Sequence, residues 1–333
     1  MKKAGFVLIV AIAFGFSAAA QTTNDANFKL ALPEHRGQLI WSADGFKIIQ
    51  SSAKPNGREL GIRGKNESGR LTFLGFLFLF PDQAPLTSAS CRDGVMDPEK
   101  KSDAHLKILA TLDSTRRGGP PVSLVSYTTR GDNGKTAYMV RGFTGSGDIC
   151  GDLEFYSDTP ISADDAALKQ AFASYRLDEN YSPQFNDVFV YAQTLYQARM
   201  YKAAAPIFEI ALAKLRENPD TATIRDAKTT KRVVTDQAGI AYGMSGDIPN
   251  ARSLFEKAIA EDPDYPMYYY NLACADAEDK NLAGAREHLQ QAFARKANVI
   301  SGETMPDPTR DDSFLPYRDN KAFWTFLKSL RPE

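Results

Sequence analysis

The sequence predicts an α+β N-terminal domain, an antiparallel sheet with a packed helix, followed by an all-α array of helical hairpins. Two observations carry this. Short runs rich in β-branched and aromatic residues, separated by Gly/Asn/Asp turns, fill the first half. In the second half, Ala251, Phe255 and Ala258 return 34 residues later as Ala285, Leu289 and Ala292. The 333-residue chain also exceeds one typical hydrophobic core, so two domains are expected.

The first residues read as a targeting segment. Lys2 and Lys3 precede an apolar run from Ala4 to Phe16, then the small residues Ala18, Ala19 and Ala20. This is the pattern of a secretory signal peptide over residues 1–20, cleaved before Gln21, which implies a periplasmic or secreted protein. The run is shorter than the ~20 apolar residues a bilayer requires. Leu71–Phe80 is very apolar but has only ten residues, which suits a buried strand. No stable membrane span is therefore expected after cleavage. The formal net charge of −1 leaves no basic excess to neutralise phosphates, which argues against nucleic-acid binding.

Three cysteines occur. Export permits disulfides. Cys91 and Cys150 both lie in the N-terminal half, so a Cys91–Cys150 bridge with Cys274 free is the expected arrangement. No cysteine has a partner at CxxC spacing, and His35, His105 and His288 are scattered, so no metal site is expected.

Residues 21–178 read as the α+β domain. Gln38–Ser42 and Phe46–Ser51 flank the turn Ala43-Asp44-Gly45. Arg58–Arg63 alternates weakly, Leu71–Phe80 reads as a central strand, and His105–Leu112 follows. Val122–Thr129 and Ala137–Phe143 flank Gly131-Asp132-Asn133-Gly134, whose Asn-Gly tolerates the positive φ of hairpin turns. Gly145-Ser146-Gly147-Asp148 then leads into Ile149–Tyr156, giving an antiparallel meander. Ser162, with Asp165 three residues on, is placed to cap a helix whose Leu168, Phe172 and Tyr175 form one apolar stripe. The meander ending in "DLEFYSDTP" and the helix starting "SADDAALKQAF" resemble the PsbP-like fold over residues 120–177, a resemblance that implies a scaffold and no chemistry. No GxSxG, HExxH or GxxxxGK[ST] motif occurs, and Asp103 beside His105 reads as a solvated face. Neither catalytic residues nor a cofactor are expected.

Residues 183–300 carry the repeats. Gly239, Tyr242 and Gly246 precede Ala251, and Leu272 and Ala273 precede Ala285. Ala192, Ala204, Phe208 and Ala211 form an earlier copy, displaced by 47 residues, so about thirteen extra residues fall within Arg216–Lys231. Small residues at Ala192, Gly239 and Ala273 let one helix approach the next, and Phe208, Phe255 and Leu289 fill the space between them. Pro263 ends one hairpin, because proline cannot continue a helix. The 34-residue step and the matching positions resemble the tetratricopeptide (TPR) family. Residues 301–333, with "DSFLPYRDNKAFWTFL", are similar to a segment that follows the last repeat in bacterial TPR proteins, and read as a cap on the array.

The resemblance implies a binding groove on the concave surface. By position, its residues are Asn186, Phe189, Gln193 and Tyr196 of the first hairpin, with Gln197 beside them. The second contributes Val233, Asp236, Ile240 and Met244, and the third Met267, Tyr270, Cys274 and Glu278. This surface is aromatic, Met-bearing and neutral to acidic, which suits an extended peptide or helix with apolar anchors. It departs from the carboxylate-clamp subtype, since only Asn271 fits that pattern. The expected function is an exported protein–protein interaction or assembly module with a protein or peptide partner. The alternative is a small ligand held by the N-terminal domain, which a deep apolar cavity would mark.

Overall fold

The computed structural model describes residues 27–114, 121–131, 133–222 and 224–330. The expected signal peptide and Asp132 of the expected hairpin turn lie outside these residues. Contacts divide the chain into two compact units, with the described residues up to Thr194 in one and those from Leu195 in the other.

The first unit contains β1 (Asn27–Ala31), β2 (Gln38–Ser42), β3 (Phe46–Ala53), β4 (Glu59–Asn66), β5 (Thr72–Leu79), α1 (Ser88–Ser102), β6 (Lys107–Ser114), β7 (Val122–Arg130), β8 (Thr136–Ser146), β9 (Ile149–Ser157), α2 (Ala166–Ser174), β10 (Arg176–Asp178) and most of α3 (Phe185–Gln197). Seven strands form an antiparallel sheet in the order β3-β4-β5-β9-β8-β7-β6, and β1-β2-β10 form a second, smaller sheet. Strand β9 shows why the large sheet is covered on both faces. Its residues alternate, and Leu153 and Phe155 are buried on the side where Phe155 meets Phe172 of α2. Phe28, Trp41 and Phe73 continue that aromatic core. Cys150, Asp152 and Glu154 point the other way, towards α1.

Helix α1 has no clear signature in the sequence, because Gly94 and Pro98 interrupt its pattern. Thr87 caps it in a capping box with Ser90. The Cys91–Cys150 bridge ties it to β9, with Cα atoms 5.4 Å apart. Beneath α1, Arg141 of β8 grips Asp152 through two bonds of 2.6 and 2.8 Å, and reaches Glu99 at 2.7 Å and Glu154 at 3.3 Å. Burial pushes the Glu154 carboxyl up to about 7, against the pull of Arg141. Helix α2 starts at Ala166, and Ser162 does not cap it. Instead the Ser162 N–H donates to the Asp165 carboxylate in the preceding turn.

The second unit is helical: α4 (Tyr201–Glu217), α5 (Ala227–Met244), α6 (Ile248–Glu261), α7 (Pro266–Glu278), α8 (Leu282–Ala294) and α9 (Lys321–Ser329). From α4 to α8 each helix packs on the next, and α5 also packs on α7. A Cβ at Gly239 would lie 2.1 Å from the Phe255 ring, so α5 and α6 can approach only because this position is glycine. The turns repeat as well. Arg199, Gly246 and Lys280 all take positive φ, of 59°, 83° and 63°, and are separated by the same 47 and 34 residues as Ala204, Ala251 and Ala285. No helix among the described residues is long and apolar enough to cross a membrane.

Two stability measurements follow from these contacts. The pair Cys91→Ser/Cys150→Ser removes a cross-link over 59 residues and should cost about 2–4 kcal/mol in urea unfolding of the N-terminal unit. An unchanged midpoint would mean the bridge constrains nothing. Lys280→Gly should raise stability. Relief of the left-handed strain is worth about 1–2 kcal/mol, which exceeds glycine's entropic cost of about 0.5–1 kcal/mol. A lower melting temperature for this variant would contradict the turn assignment.

Candidate functional site

Helix α7 is buried along almost its whole length, from Pro266 to Ala277. Helices α6 and α8 pack against it in sequence, and α5 lies beside it. Its remaining side is covered by residues 299–317 of the same chain. That segment contains only short 3-10 turns, yet Ile300, Met305, Thr309, Ser313 and Phe314 within it are buried.

The segment is held by side chains. Tyr265 donates to Glu303 at 2.7 Å and Tyr270 to Asp311 at 3.0 Å. The Tyr317 hydroxyl donates to the Ala277 carbonyl at 2.5 Å. Phe314 packs edge-on against Tyr270, and Phe323 of α9 packs against Phe314. Arg225 donates to the Ser301 carbonyl, and Asn298 to that of Asp264.

Three carboxylates gather here, and among the described residues none forms a salt bridge. Asp236 of α5 accepts a hydrogen bond from Asn271. Burial, reinforced by Glu303, holds its carboxyl well above the usual carboxylate range. Burial likewise raises Glu303, against the opposing bond from Tyr265, and Asp311, against those from Ser313 and Tyr270. Burial and Asp311 push the Cys274 thiol far up, so it stays protonated and unreactive. At the other end of α7, Asp276 is buried but paired, with Arg252 at 2.8 Å and His288 at 2.6 Å.

The residues expected in the groove are distributed as follows. Asn186, Phe189 and Gln193 belong to the N-terminal unit, whereas Tyr196 belongs to the helical one. Phe189 is buried and stacks on Phe185. In the same part of α3, Tyr191 donates to the carbonyls of Lys54 and Glu59. Tyr196 is half-buried against Tyr201 and Phe208. Val233, Met267 and Tyr270 are buried, while Ile240, Met244 and Glu278 remain half-exposed. Of the expected groove residues, Tyr270 and Cys274 meet Asp311, and Asp236, raised first by burial, lies near enough to Glu303 to be raised further by it, so these three sit against residues 299–317. Residues 301–333 read from sequence as a cap on the array's end. Only α9 resembles that, and the preceding segment lies along α7. Its composition, with Pro306, Pro308 and Pro316 between buried apolar residues, is the signal that could have marked it as a run of short turns in place of a regular helix.

A cavity of about 320 Å³ in the N-terminal unit is lined by Lys54, Arg58, Glu59 and Asp82 beside Phe78 and Phe80, a mixed lining in place of the apolar one a small-ligand site would need. Among the described residues no group of His, Cys, Asp and Glu is arranged to hold a metal.

No protein-family model matches the sequence, and no curated protein matches it. Several solved structures are similar to part of it. PcrH from Pseudomonas aeruginosa is 15% identical, with a TM-score of 0.30, over 44% of this chain and 90% of that one. PcrH in complex with the chaperone binding region of PopB is 15% identical, with a TM-score of 0.29, over 44% and 93%. The Sgt2 TPR domain from Aspergillus fumigatus is 18% identical, with a TM-score of 0.31, over 46% and 87%. Helix stacking in this chain is evident from its own packing.

The raised carboxyls predict a pH dependence. With folded-state pKa values above the unfolded ones, Asp236, Glu303 and Asp311 bind more protons when the segment is docked. Their contribution is full below the ordinary carboxylate range near 4 and is lost as pH rises through the folded values. Amide exchange of residues 299–317, corrected for intrinsic pH dependence, should therefore show weaker protection at pH 8 than at pH 5. Asp236→Asn should flatten that difference; an unaltered difference in the variant would refute the assignment.

Proposed function

We propose that this protein is an exported, non-enzymatic interaction module whose helical array holds a protein or peptide partner on its concave side. The observation that carries the reading is the polypeptide of short turns seated on α7. A face that fixes residues 299–317 through hydroxyl, amide and ring contacts, without secondary-structure pairing, has the chemistry to hold a peptide. Half-exposed Glu278 lies beside Asp311 of the segment, and Ile240 and Met244, half-exposed on α5, are read as the accessible part of the groove.

Three TPR-type hairpins, α3–α4, α5–α6 and α7–α8, are the finer reading of the array. The repeated small–large pairs and the repeated positive-φ turn support it. The N-terminal unit, with its PsbP-like order of meander and helix, is read as a scaffold. Residues 1–20 are read as a cleaved signal peptide directing the chain to the periplasm or beyond, and the Cys91–Cys150 bridge agrees with an oxidising compartment.

Affinity capture from periplasmic extract tests this reading. Wild type should retain a specific partner that Ile240→Glu/Met244→Glu loses, while Glu256→Lys on the exposed side of α6 retains it, all three variants having matching circular dichroism. A single charged substitution in such an apolar contact should weaken binding at least tenfold. Equal capture by all three would move the binding surface off the concave side. The exported protein should begin at Gln21 on N-terminal sequencing.

A further inference from the structure

Resting on that reading, we propose that residues 299–317 are a resident occupant of the partner site. The partner is then an acidic, turn-forming segment, with a carboxylate three residues before an aromatic ring, that displaces them. The spacing is that of Asp311 and Phe314 in the occupant.

Three observations support this. First, the segment is held only through side chains: among the described residues, no main-chain to main-chain hydrogen bond joins it to α5, α6, α7 or α8. A second chain could receive every one of these contacts. Second, the anchors form a pattern rather than a continuous apolar seam. Tyr265 and Tyr270 present hydroxyl donors to Glu303 and Asp311, and the Tyr270 ring receives Phe314 edge-on.

Third, among the described residues Glu303 and Asp311 form no salt bridge, although Arg232 acts on Glu303 from further off, and they share their surroundings with Asp236 and the half-buried Glu278. Beyond accepting the Ile300 and Ser313 N–H groups of its own turns, a segment fixed permanently in a core gains little from buried acids outside a salt bridge, because apolar residues of similar size would serve at least as well. An exchangeable ligand can use them, since the tyrosine hydroxyls reject a segment that lacks the acceptor.

The test uses the full chain and a labelled synthetic peptide with the sequence of residues 299–317. The Phe314→Ala variant loosens the resident segment by removing its ring from Tyr270. By fluorescence anisotropy, the peptide should bind Phe314→Ala at least tenfold more tightly than wild type. A peptide carrying Lys in place of Asp311 should bind that variant at least tenfold more weakly than the unaltered peptide. The proposal is overturned if a folded Phe314→Ala protein fails to bind the peptide, or binds the lysine form equally well.

If Phe314→Ala does not fold, protease sites inserted at Ala297 and Asp319 let the segment be cut free at both ends in an otherwise wild-type chain. The cut protein should then exchange its own fragment for labelled peptide. A fragment that stays bound against a large excess of peptide shows an integral part of the fold and defeats the proposal. Loss of peptide exchange alongside intact partner capture would leave the interaction reading standing. Peptide exchange with no groove-dependent partner would leave the exchange and remove the function.

Discussion

A helix enclosed on all sides obliges every polar group it carries to find a partner inside the protein, and α7 sets this condition for the helical unit. Unanswered polar atoms in such a position cost several kcal/mol each, so their partners are as necessary as the apolar packing. Each neighbour of α7 supplies one. Asn271 donates to Asp236 on α5, and Asp276 pairs with Arg252 on α6 and His288 on α8. Tyr265 and Tyr270 turn to Glu303 and Asp311 on the segment of short turns. The apolar periodicity brings the helices together; the polar pairs fix which residue of each faces α7.

The N-terminal unit solves a similar problem with charge. Three carboxylates converge on Arg141 under α1, leaving local negative charge in excess. The bidentate Asp152 contact satisfies the guanidinium, and Glu154, the most enclosed of the remaining acids, responds by holding its proton near neutral pH. The disulfide adds a covalent tie at one end of α1, and Glu99 an ionic one near the other. A helix interrupted by Gly94 and Pro98 has weak intrinsic propensity, so these tertiary ties hold it in place.

What was legible in the sequence follows from this division. The 34-residue step, the small positions Gly239 and Ala273 and the large ones Phe255 and Leu289 were readable, because helix–helix contact demands residue size at fixed spacing. The meander was readable from its turns. Helix α1 was not, since its stability comes from Cys150 and Arg141, far away in sequence. The covered face was not readable either. Position marked Val233, Met267 and Tyr270 as groove-lining, but position in a repeat says nothing of what lies on the groove. The occupant has no periodicity, and its anchors, Glu303 and Asp311, look like ordinary solvated acids until Tyr265 and Tyr270 are seen opposite them.

The same geometry bears on the kind of chain end this face can take. Capture of a free C-terminal carboxylate needs cations or several converging donors, because an ionised carboxylate moved out of water loses more than one neutral hydrogen bond returns. Here Asn271, the one residue fitting the clamp pattern, is already committed to Asp236, Arg225 is taken up by the Ser301 carbonyl and Arg232 is paired with Asp262, while burial and the segment's own acids raise the carboxyls of Asp236 and Glu278. An ionised chain end would add a further negative charge to that set. Side-chain carboxyls of an internal segment can instead arrive protonated and accept from a tyrosine hydroxyl, as Asp311 does from Tyr270. In the proposed function, electrostatics therefore favours the middle of a partner chain over its terminus.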